Sequence, residues 1–484
     1  MISSKEVLYI LIREDDLNKI KNIKNNYFSL VPGLNQGGQI NIKYPNPIQT
    51  YKYSREQLLR CEEIIKHINK TILDKVPKKE NILIEELLKP FLDAKISIYL
   101  YLMNCIPDCD FYKLLVDGRW KIFYNKSSLI TGIENEQIKQ EGNVFSHLGK
   151  YKKIRYNFIH KLLARLQISL IKKLIRKKII YVLSGNRFYF MPIIFKELHK
   201  RKKNILVYNQ SQNIMRVLLI IFMQLKSLIF KQSHTNNEFF MIPGDLPDSK
   251  KIKIIYGRKR YRCNLINEHY YNYLLKDVEN FINNNYCYEI YNKKLFQNRE
   301  RKDLVGIFHT NRLPELHSLS KVLSKQYASL HLITHGTHTI QRKSKRISDS
   351  LEVGMLITKI PNARMYSQSI FSDDYLYRKD VTFTQIKPVK SFRINTKKTN
   401  SKTLNILSAG TVKQLGARRY YFESSFEYIY STLELCKKLQ KLDFDLKLTI
   451  RIRDIKNEIN SQIIKRIVGN FKEFVEISKN KKFE

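Results

Sequence analysis

Acidic residues are scarce in this chain of 484 residues. It holds 44 Asp and Glu against 87 Lys and Arg, which gives a formal net charge of +43. A field of that sign attracts polyanions, such as nucleic acids, anionic lipid headgroups and phosphate-bearing substrates. The chain is also rich in Lys, Asn, Ile and Tyr, as AT-rich coding sequence tends to be, so the charge by itself selects no single partner.

Cysteine is also sparse, with six residues scattered along the chain. The nearest pair is Cys105 and Cys109, and no second pair accompanies it to complete a zinc site. His331, His335 and His338 lie close in sequence but lack a flanking cysteine or carboxylate. We therefore expect no bound metal, and a reducing cytoplasm is the expected compartment.

Long hydrophobic runs are missing too. The most apolar window, Val217–Phe230, is too short to span a bilayer, and Gln224 and Lys226 interrupt it. We expect a buried helix there; the alternative is a helix lying on a membrane surface, with Lys226 and Lys231 beside it. The apolar run Val7–Ile12 is too short for a signal-peptide core and is predicted to be the first strand.

Nucleic-acid-binding motifs are not apparent, and the G-x-G-x-x-G fingerprint of dinucleotide-binding folds is also absent. The composition is nevertheless that of a globular protein with sizeable cores, since 43% of the residues are hydrophobic and 12% are aromatic. The basic residues are spread along the whole chain rather than clustered. A basic nucleic-acid-binding protein is therefore kept as an alternative, with no specific nucleic acid expected as a partner.

Two stretches alternate strand, turn, helix and strand, which predicts two βαβ units and hence a parallel sheet. Because parallel strands end at the same edge of a sheet, His309 and His335 are expected on one side. Asn186 and Arg187, in the turn after the first strand of the first unit, are candidate acceptor contacts. The predicted strands and helices are Ile179–Leu183, Phe188–Lys200 and Asn204–Tyr208, then Leu304–Phe308, Pro314–Gln326 and Leu330–Ile333.

The strand at Leu330–Ile333 ends abruptly at Thr334-His335-Gly336-Thr337-His338. Ligands of open α/β sheets collect outside the carboxyl ends of strands, so this tip is well placed to meet one. Gly336 lets the backbone turn or approach a ligand closely, and histidine suits proton transfer near neutral pH. The alternative is a polar turn with incidental histidines.

A polar, Lys-rich stretch at 382–401 is predicted to link two α/β domains. Residues 1–381 are predicted to form a Rossmann-like acceptor domain with helical insertions, and 402–484 a partial Rossmann-like nucleotide-binding domain. The second domain begins with strands at Leu404–Leu407 and Leu446–Ile452. The sequence stops about 80 residues into this unit, so we expect a truncated protein or an abbreviated last domain.

The order of motifs resembles the GT-B class of sugar transferases. It is similar to bacterial enzymes of capsule and surface polysaccharide synthesis, including the Kdo transferases and the polyol-phosphate polymerases of teichoic acid synthesis. In those families a His-Gly motif follows a strand, and then come a basic loop and a Gln-Ser…Asp-Tyr-Leu segment. The corresponding runs here are Thr334-His335-Gly336-Thr337, Arg342-Lys343-Ser344-Lys345-Arg346 and Gln368-Ser369…Asp374-Tyr375-Leu376.

The resemblance implies a glycosyltransferase that uses a nucleotide-sugar donor, a glycan or lipid-linked acceptor and no further cofactor. Transfer with inversion needs a base at the acceptor hydroxyl and positive charge near the leaving phosphate. His335 is the first candidate base, and His338 and His309 follow. Candidate donor contacts are Gly336, Thr337, Arg342, Lys343, Ser408, Gly410, Thr411, Arg451 and Arg453, and Asp15 is a further acceptor candidate.

Two D-x-D pairs occur, at Asp108-Cys109-Asp110 and Asp443-Phe444-Asp445, and this pattern can chelate the metal of a sugar nucleotide. Both are expected to be solvated turns, so metal-independent transfer is predicted. The enzyme is expected in the cytoplasm, with peripheral contact to an anionic membrane. An inactive or truncated scaffold with the same fold is the remaining alternative.

Overall fold

The computed structural model describes most of the chain up to residue 333 and shorter stretches after it. The sequence also predicts a strand at Val353–Ile357 and a helix at Ile459–Gly469, and both lie outside the described residues. The described residues are 6–20, 22, 24–31, 40–46, 63–68, 70, 81–140, 158–175, 180–185, 191–209, 214–229, 236–239, 266–296, 304–309, 314–326, 328–333, 360, 362–367, 383–385, 403–408, 434–435, 438, 441, 445–451 and 475–478.

A five-stranded sheet occupies the N-terminal part of the chain. Its spatial order is β3-β2-β1-β4-β5, and all neighbours are parallel except β4 and β5. The strands are β1 (Val7–Leu11), β2 (Asn26–Ser29), β3 (Ile42–Lys43), β4 (Phe111–Val116) and β5 (Arg119–Phe123).

An Asp-Gly pair between two apolar runs predicts a hairpin at Asp117-Gly118, and the tight turn between β4 and β5 confirms it. Both turn residues have positive φ, 51° at Asp117 and 78° at Gly118. A two-residue turn of type I′ requires this conformation, which Asp tolerates and Gly adopts without cost. The turn therefore sets the register in which Val116 pairs with Arg119.

Two helices, α1 (Asn81–Cys105) and α2 (Lys126–Gln140), enclose a core with this sheet. The core contains Ile10 and Leu114 from the strands together with Leu92 of α1 and Ile130 of α2. Each such side chain contributes roughly 1.5–3 kcal/mol by leaving water, which makes this burial the main force holding the layer together.

A seven-stranded sheet lies further along the chain, and all its neighbouring strands are parallel. Its spatial order is β12-β11-β10-β9-β6-β7-β8. From β6 the chain adds β7 and β8 on one side. It then returns to the other side of β6 and adds β9, β10, β11 and β12 there. Both predicted βαβ units are confirmed within it. The strands are β6 (Ile180–Leu183), β7 (Asn204–Tyr208), β8 (Asn236–Phe239), β9 (Leu304–Phe308), β10 (Ser329–Ile333), β11 (Ala363–Ser367) and β12 (Phe383–Gln385).

Helices pack on both faces of the seven-stranded sheet. On one face, Val182 and Leu206 share a core with α3, α5 and α7, whereas on the other Leu183 and Val207 pack with α4. Successive side chains of a strand point to opposite faces, so a strand covered on both sides is apolar throughout. The helices are α3 (Phe158–Ile175), α4 (Met191–Lys200), α5 (Ile214–Ile229) and α7 (Pro314–Lys325).

One long helix, α6 (Glu268–Phe296), contributes to both cores. Its first half places Leu274 and Phe281 in the core of the five-stranded sheet. Its second half places Tyr291 and Leu295 in the core of the seven-stranded sheet. The two sheets are therefore connected by a shared helix as well as by the chain.

A third, smaller sheet contains the strands β13 (Thr403–Ser408), β14 (Asp445–Arg451) and β15 (Val475–Ser478), which are parallel. The strands predicted near Leu404 and Leu446 are thus confirmed. Residues 1–381, which the sequence suggested as one unit, hold strands of two separate sheets, and β12 falls in the predicted linker 382–401. The domain boundaries themselves stay predictions.

The apolar helix α5 differs from the expectation. Its inner side is buried at Ile220, Ile221 and Gln224. On its outer side, Met215 and Phe222 are 73% and 65% exposed. The prediction of a buried helix is therefore wrong for its outer side, because the sheet covers only one side of a helix in an outer layer. Among the helices that the structure describes, none has the length and apolarity needed to cross a bilayer.

The interface between α6 and α7 contains a buried polar network. The Glu289 carboxylate accepts from Lys321 Nζ at 2.6 Å and pairs with Lys293 Nζ at 2.8 Å. Asn292 Nδ2 donates to Ser318 Oγ at 3.1 Å. Although burial opposes ionisation, the two ammonium groups lower the pKa of Glu289, so this carboxyl stays charged inside the interface.

His317 lies in the same interface and makes stability depend on pH. Burial lowers its pKa to about 3, and the charge of Lys321 acts in the same direction. The folded protein keeps this imidazole neutral, whereas the unfolded chain binds a proton below about pH 6.5. The contribution of the neutral His317 to stability is therefore fully present above about pH 6.5 and is lost as the pH falls. We expect His317 to lower the free energy of unfolding by about 2 kcal/mol between pH 7 and pH 5.

Urea unfolding at pH 7, 6 and 5 measures this loss. His317→Gln should reduce the slope of the free energy of unfolding against pH. His199→Gln, which changes an exposed histidine on α4, serves as the matched control and should keep the wild-type slope. Equal slopes for wild type and His317→Gln would contradict the assignment.

Candidate functional site

The carboxyl edge of the seven-stranded sheet has one position where the order of strands reverses. There β6 and β9 lie side by side, although more than a hundred residues separate them in the chain. In doubly wound sheets, the segments that follow two such strands leave toward opposite sides and open a crevice outside the strand ends. Ligands of such sheets bind in this crevice.

Ser184 and His309 meet at that position. Ser184 directly follows β6, and His309 directly follows β9. The Oγ of Ser184 lies 2.6 Å from Nδ1 of His309 and also accepts the His309 backbone N–H at 3.0 Å. Ser184 N donates to the Ile307 carbonyl at 3.0 Å, so backbone and side chains together fasten the two strand ends.

Both side chains are buried, with Ser184 1% and His309 4% exposed. The hydrogen bond between Ser184 Oγ and Nδ1 of His309 fixes the plane of the ring. A histidine held in this way is oriented before any ligand arrives.

Further polar groups lie at the next strand end and at the start of α7. The hydroxyl of Tyr208, the last residue of β7, donates to Glu315 Oε1 at 3.1 Å. Asn209 donates through its side chain to Glu238 and through its backbone to Phe239. Burial raises the pKa of Glu315, which favours a protonated carboxyl closer to neutral pH. Perturbed carboxyls of this kind cluster at functional sites.

The sequence-predicted residues fall into two groups at this edge. His309 lies where the strand order reverses, and its strand β9 runs parallel beside β10, as expected. The structure describes β10 only as far as Ile333, two residues before His335. The remaining candidates here lie outside the described residues: His335, Gly336, Thr337, His338, Arg342, Lys343, Asn186 and Arg187.

The C-terminal candidates belong to the three-stranded sheet. Ser408 ends β13 and Arg451 ends β14. Since these strands are parallel neighbours, both residues lie at the carboxyl edge of that sheet. Gly410, Thr411 and Arg453 lie outside the described residues. Donor binding by this group stays a prediction.

Asp15, the remaining acceptor candidate, is exposed in a short 3-10 helix after β1. The adjacent Asp16 is fully buried instead, and its Oδ2 accepts from the backbone of Ile12 at 2.8 Å and of Arg13 at 3.0 Å. Burial raises the pKa of Asp16, and the hydrogen bonds oppose this. Arg13 in turn pairs with Glu136 of α2 at 2.8 Å, so this acidic turn fixes the end of β1.

The first D-x-D pair has structural partners. Asp110 Oδ2 accepts the Glu6 N–H at 3.0 Å, and Asp108 pairs with Lys126 at 2.8 Å. Asp443 lies outside the described residues, whereas Asp445 begins β14. Within the described part of the chain, no group of three or more His, Cys, Asp and Glu is arranged to hold a metal ion.

Sequence reasoning missed Ser184, Tyr208 and Glu315. Ser184 carried a usable signal, because it is the first polar residue after a buried apolar strand. Glu315 carried a weaker one, as an acidic residue in the first turn of a helix that follows a strand. Nothing local distinguishes Tyr208 from other aromatic residues at strand ends.

The fold defines an α/β protein with mostly parallel sheets, consistent with two Rossmann-like domains. No protein family, curated protein or solved structure matches this chain. Fold class and site geometry are therefore the basis for any functional assignment.

Proposed function

We propose that this protein is a glycosyltransferase of surface polysaccharide synthesis that binds a nucleotide sugar and an acceptor at its sheet edges. The observation that carries the proposal is the Ser184–His309 pair at the reversal of strand order in the seven-stranded sheet. An imidazole held in place at this position can order a site in which a proton moves and a phosphate is displaced.

In such a transfer, a base takes the proton of the acceptor hydroxyl while its oxygen attacks the anomeric carbon of the sugar. The bond from that carbon to the phosphate oxygen breaks, and the nucleotide leaves with both bonding electrons. Cationic side chains and helix N-termini stabilise the charge on the leaving phosphate. The acceptor is a glycan or a lipid-linked sugar.

His335 remains the first candidate for the base, since it follows β10, which ends beside β9 at the same edge. His309 is nearly buried and bonded to Ser184. We therefore assign His309 the role of a positioning residue that orders the crevice. Glu315, whose pKa is raised by burial, is a further candidate for proton transfer at this edge.

Nucleotide binding tests the proposal directly. Thermal unfolding of the full chain is measured at about 0.15 M salt with CMP, UDP or GDP, and with inorganic pyrophosphate as the control for unspecific anion binding. We expect one nucleotide to raise the melting temperature, because a ligand at 100 times its Kd stabilises the folded state by about 2.7 kcal/mol.

Ser184→Ala should reduce that shift, whereas Ser128→Ala, at a partly exposed serine in the first turn of α2, should leave it intact. No shift with any nucleotide, or a shift equal to that of pyrophosphate, would remove the proposal. Tight binding to DNA of arbitrary sequence at the same salt concentration would favour the nucleic-acid-binding alternative instead.

A further inference from the structure

The outer side of α5 exposes a continuous row of large apolar side chains. A surface helix normally turns charged or polar residues to water, so this arrangement is unusual. The exposed residues recur every three or four positions, as one side of a helix requires. They are Met215, Leu218, Leu219, Phe222, Met223, Leu225 and Ile229.

The neighbouring helix α3 extends the row and adds positive charge. It shares the core beneath with α5. Its exposed side carries Leu162, Arg165, Leu166 and Lys173. Their spacings of three, one and seven residues place them along one side of α3. We call these residues of α3, together with the exposed apolar residues of α5, the α3–α5 surface.

Acidic residues are scarce in the stretch of sequence that contains this surface. Neither α3 nor α5 contains one. Between residues 142 and 237 the sequence has 20 Lys and Arg and a single acidic residue, Glu197. Glu197 lies on α4, which packs on the opposite face of the sheet and forms an ion pair there with Arg201.

The combination of apolar and cationic groups selects the partner. A second copy would bring the same positive charges together, which opposes dimerisation through this side. An anionic lipid bilayer offers both complements, since acyl chains receive the apolar residues while headgroup phosphates attract Arg165 and Lys173. The charge of the whole chain, +43, acts in the same direction.

We infer that the α3–α5 surface binds the protein to membranes that contain anionic lipids. The apolar side chains of α5 enter the boundary between headgroups and acyl chains, and the basic residues of α3 contact the phosphates. This contact is separate from the crevice at Ser184 and His309 and requires neither nucleotide nor acceptor.

Vesicle co-sedimentation of the full chain tests the inference. Vesicles of phosphatidylcholine alone are compared with vesicles of equal parts phosphatidylcholine and phosphatidylglycerol. We expect binding to the anionic vesicles and at least tenfold weaker binding of Leu219→Ser/Phe222→Ser, because two large side chains no longer leave water. Both residues are exposed, so the variant should unfold like wild type.

Matched variants separate the surface from general effects. Ile193→Ser changes an exposed apolar residue on α4 and should bind as wild type. Arg165→Glu/Lys173→Glu should weaken binding more than Arg119→Glu/Lys121→Glu, which changes the net charge equally but on exposed residues of β5. Raising the salt from about 0.1 M to about 1 M shortens the Debye length from about 10 Å to about 3 Å and should weaken initial attraction.

Equal binding of wild type and Leu219→Ser/Phe222→Ser would overturn the inference, as would failure of the wild type to bind anionic vesicles. Sedimentation velocity compares the oligomeric state of the wild type with that of Leu219→Ser/Phe222→Ser. A concentration-dependent dimer that the double variant abolishes, without any vesicle binding, would assign this surface to self-association instead.

Discussion

Replacing Lys95 by methionine should lower the free energy of unfolding by about 3–5 kcal/mol, because it leaves the buried carboxylate of Glu134 without its cation. Lys95 Nζ lies 2.7 Å from Glu134 Oε2 and 2.6 Å from Asp277 Oδ2. The side chains of Lys95 and Glu134 are almost fully buried, at 3% and 1% exposure. The group ties α1, α2 and α6 together.

Electrostatics explain why the ammonium remains charged in this core. Burial alone would lower the pKa of Lys95, but Glu134, with Tyr273 and Asp277, raises it well above its usual value. Tyr270 completes the network, since its hydroxyl lies 2.6 Å from Glu134 Oε1 and 3.0 Å from the Lys95 carbonyl. Burial and the adjacent carboxylate raise the pKa of Tyr270, which keeps it a hydrogen-bond donor.

Guanidinium unfolding followed by circular dichroism measures the loss. Lys95→Met/Glu134→Gln should recover part of it, because removing both partners leaves no buried charge behind, while Asp277 still reaches water. Lys126→Met is the control, since its partner Asp108 is exposed and such pairs contribute little. Wild-type stability of Lys95→Met would show that the network does not hold these helices.

His309→Ala should reduce the catalytic efficiency of sugar transfer by about 10²-fold, with the donor that the nucleotide panel identifies, because the site loses a residue that positions it. The variant removes the ring that Ser184 orients and opens a gap between the ends of β6 and β9. His335→Ala should abolish transfer if that residue is the base. Initial rates over a pH series, with circular dichroism to verify folding, provide the measurement.

The serine distinguishes a positioning role from a purely structural one. Ser184→Ala removes the acceptor of the His309 backbone N–H and the partner of its ring. We expect the pH dependence of the initial rate to shift along the pH axis in Ser184→Ala. Ser184→Thr, which keeps the hydroxyl, should restore the wild-type pH dependence. A folded His309→Ala protein with wild-type rates would exclude His309 from the reaction.

Local patterns were sufficient for several elements of the fold. Apolar runs ending in polar turns located β6, β7, β9 and β10, and the alternation of strands with helices located α4 and α7. The Asp117-Gly118 pair located a hairpin because few residues adopt the required positive φ. Such signals lie within a few consecutive residues, so a sequence displays them directly.

Short strands and edge strands escaped prediction. Strands β2, β8 and β12 span only three or four residues with polar members, so neither alternation nor an apolar run marks them. Helix α5 shows a different limit. Its apolar composition suggested burial, and only the position of the sheet beneath one side showed that the other side faces solvent.

The sequence by itself determined that the chain alternates strands and helices, and it placed His309 at a strand end. Tertiary structure alone brought β9 beside β6, which joins Ser184 to His309 across 125 residues, and it joined Lys95 to Asp277 across 182. Periodicity specifies which side of each element is buried, within a few residues. The neighbour that buries it is chosen by the packing of the whole chain, which no short stretch of sequence contains.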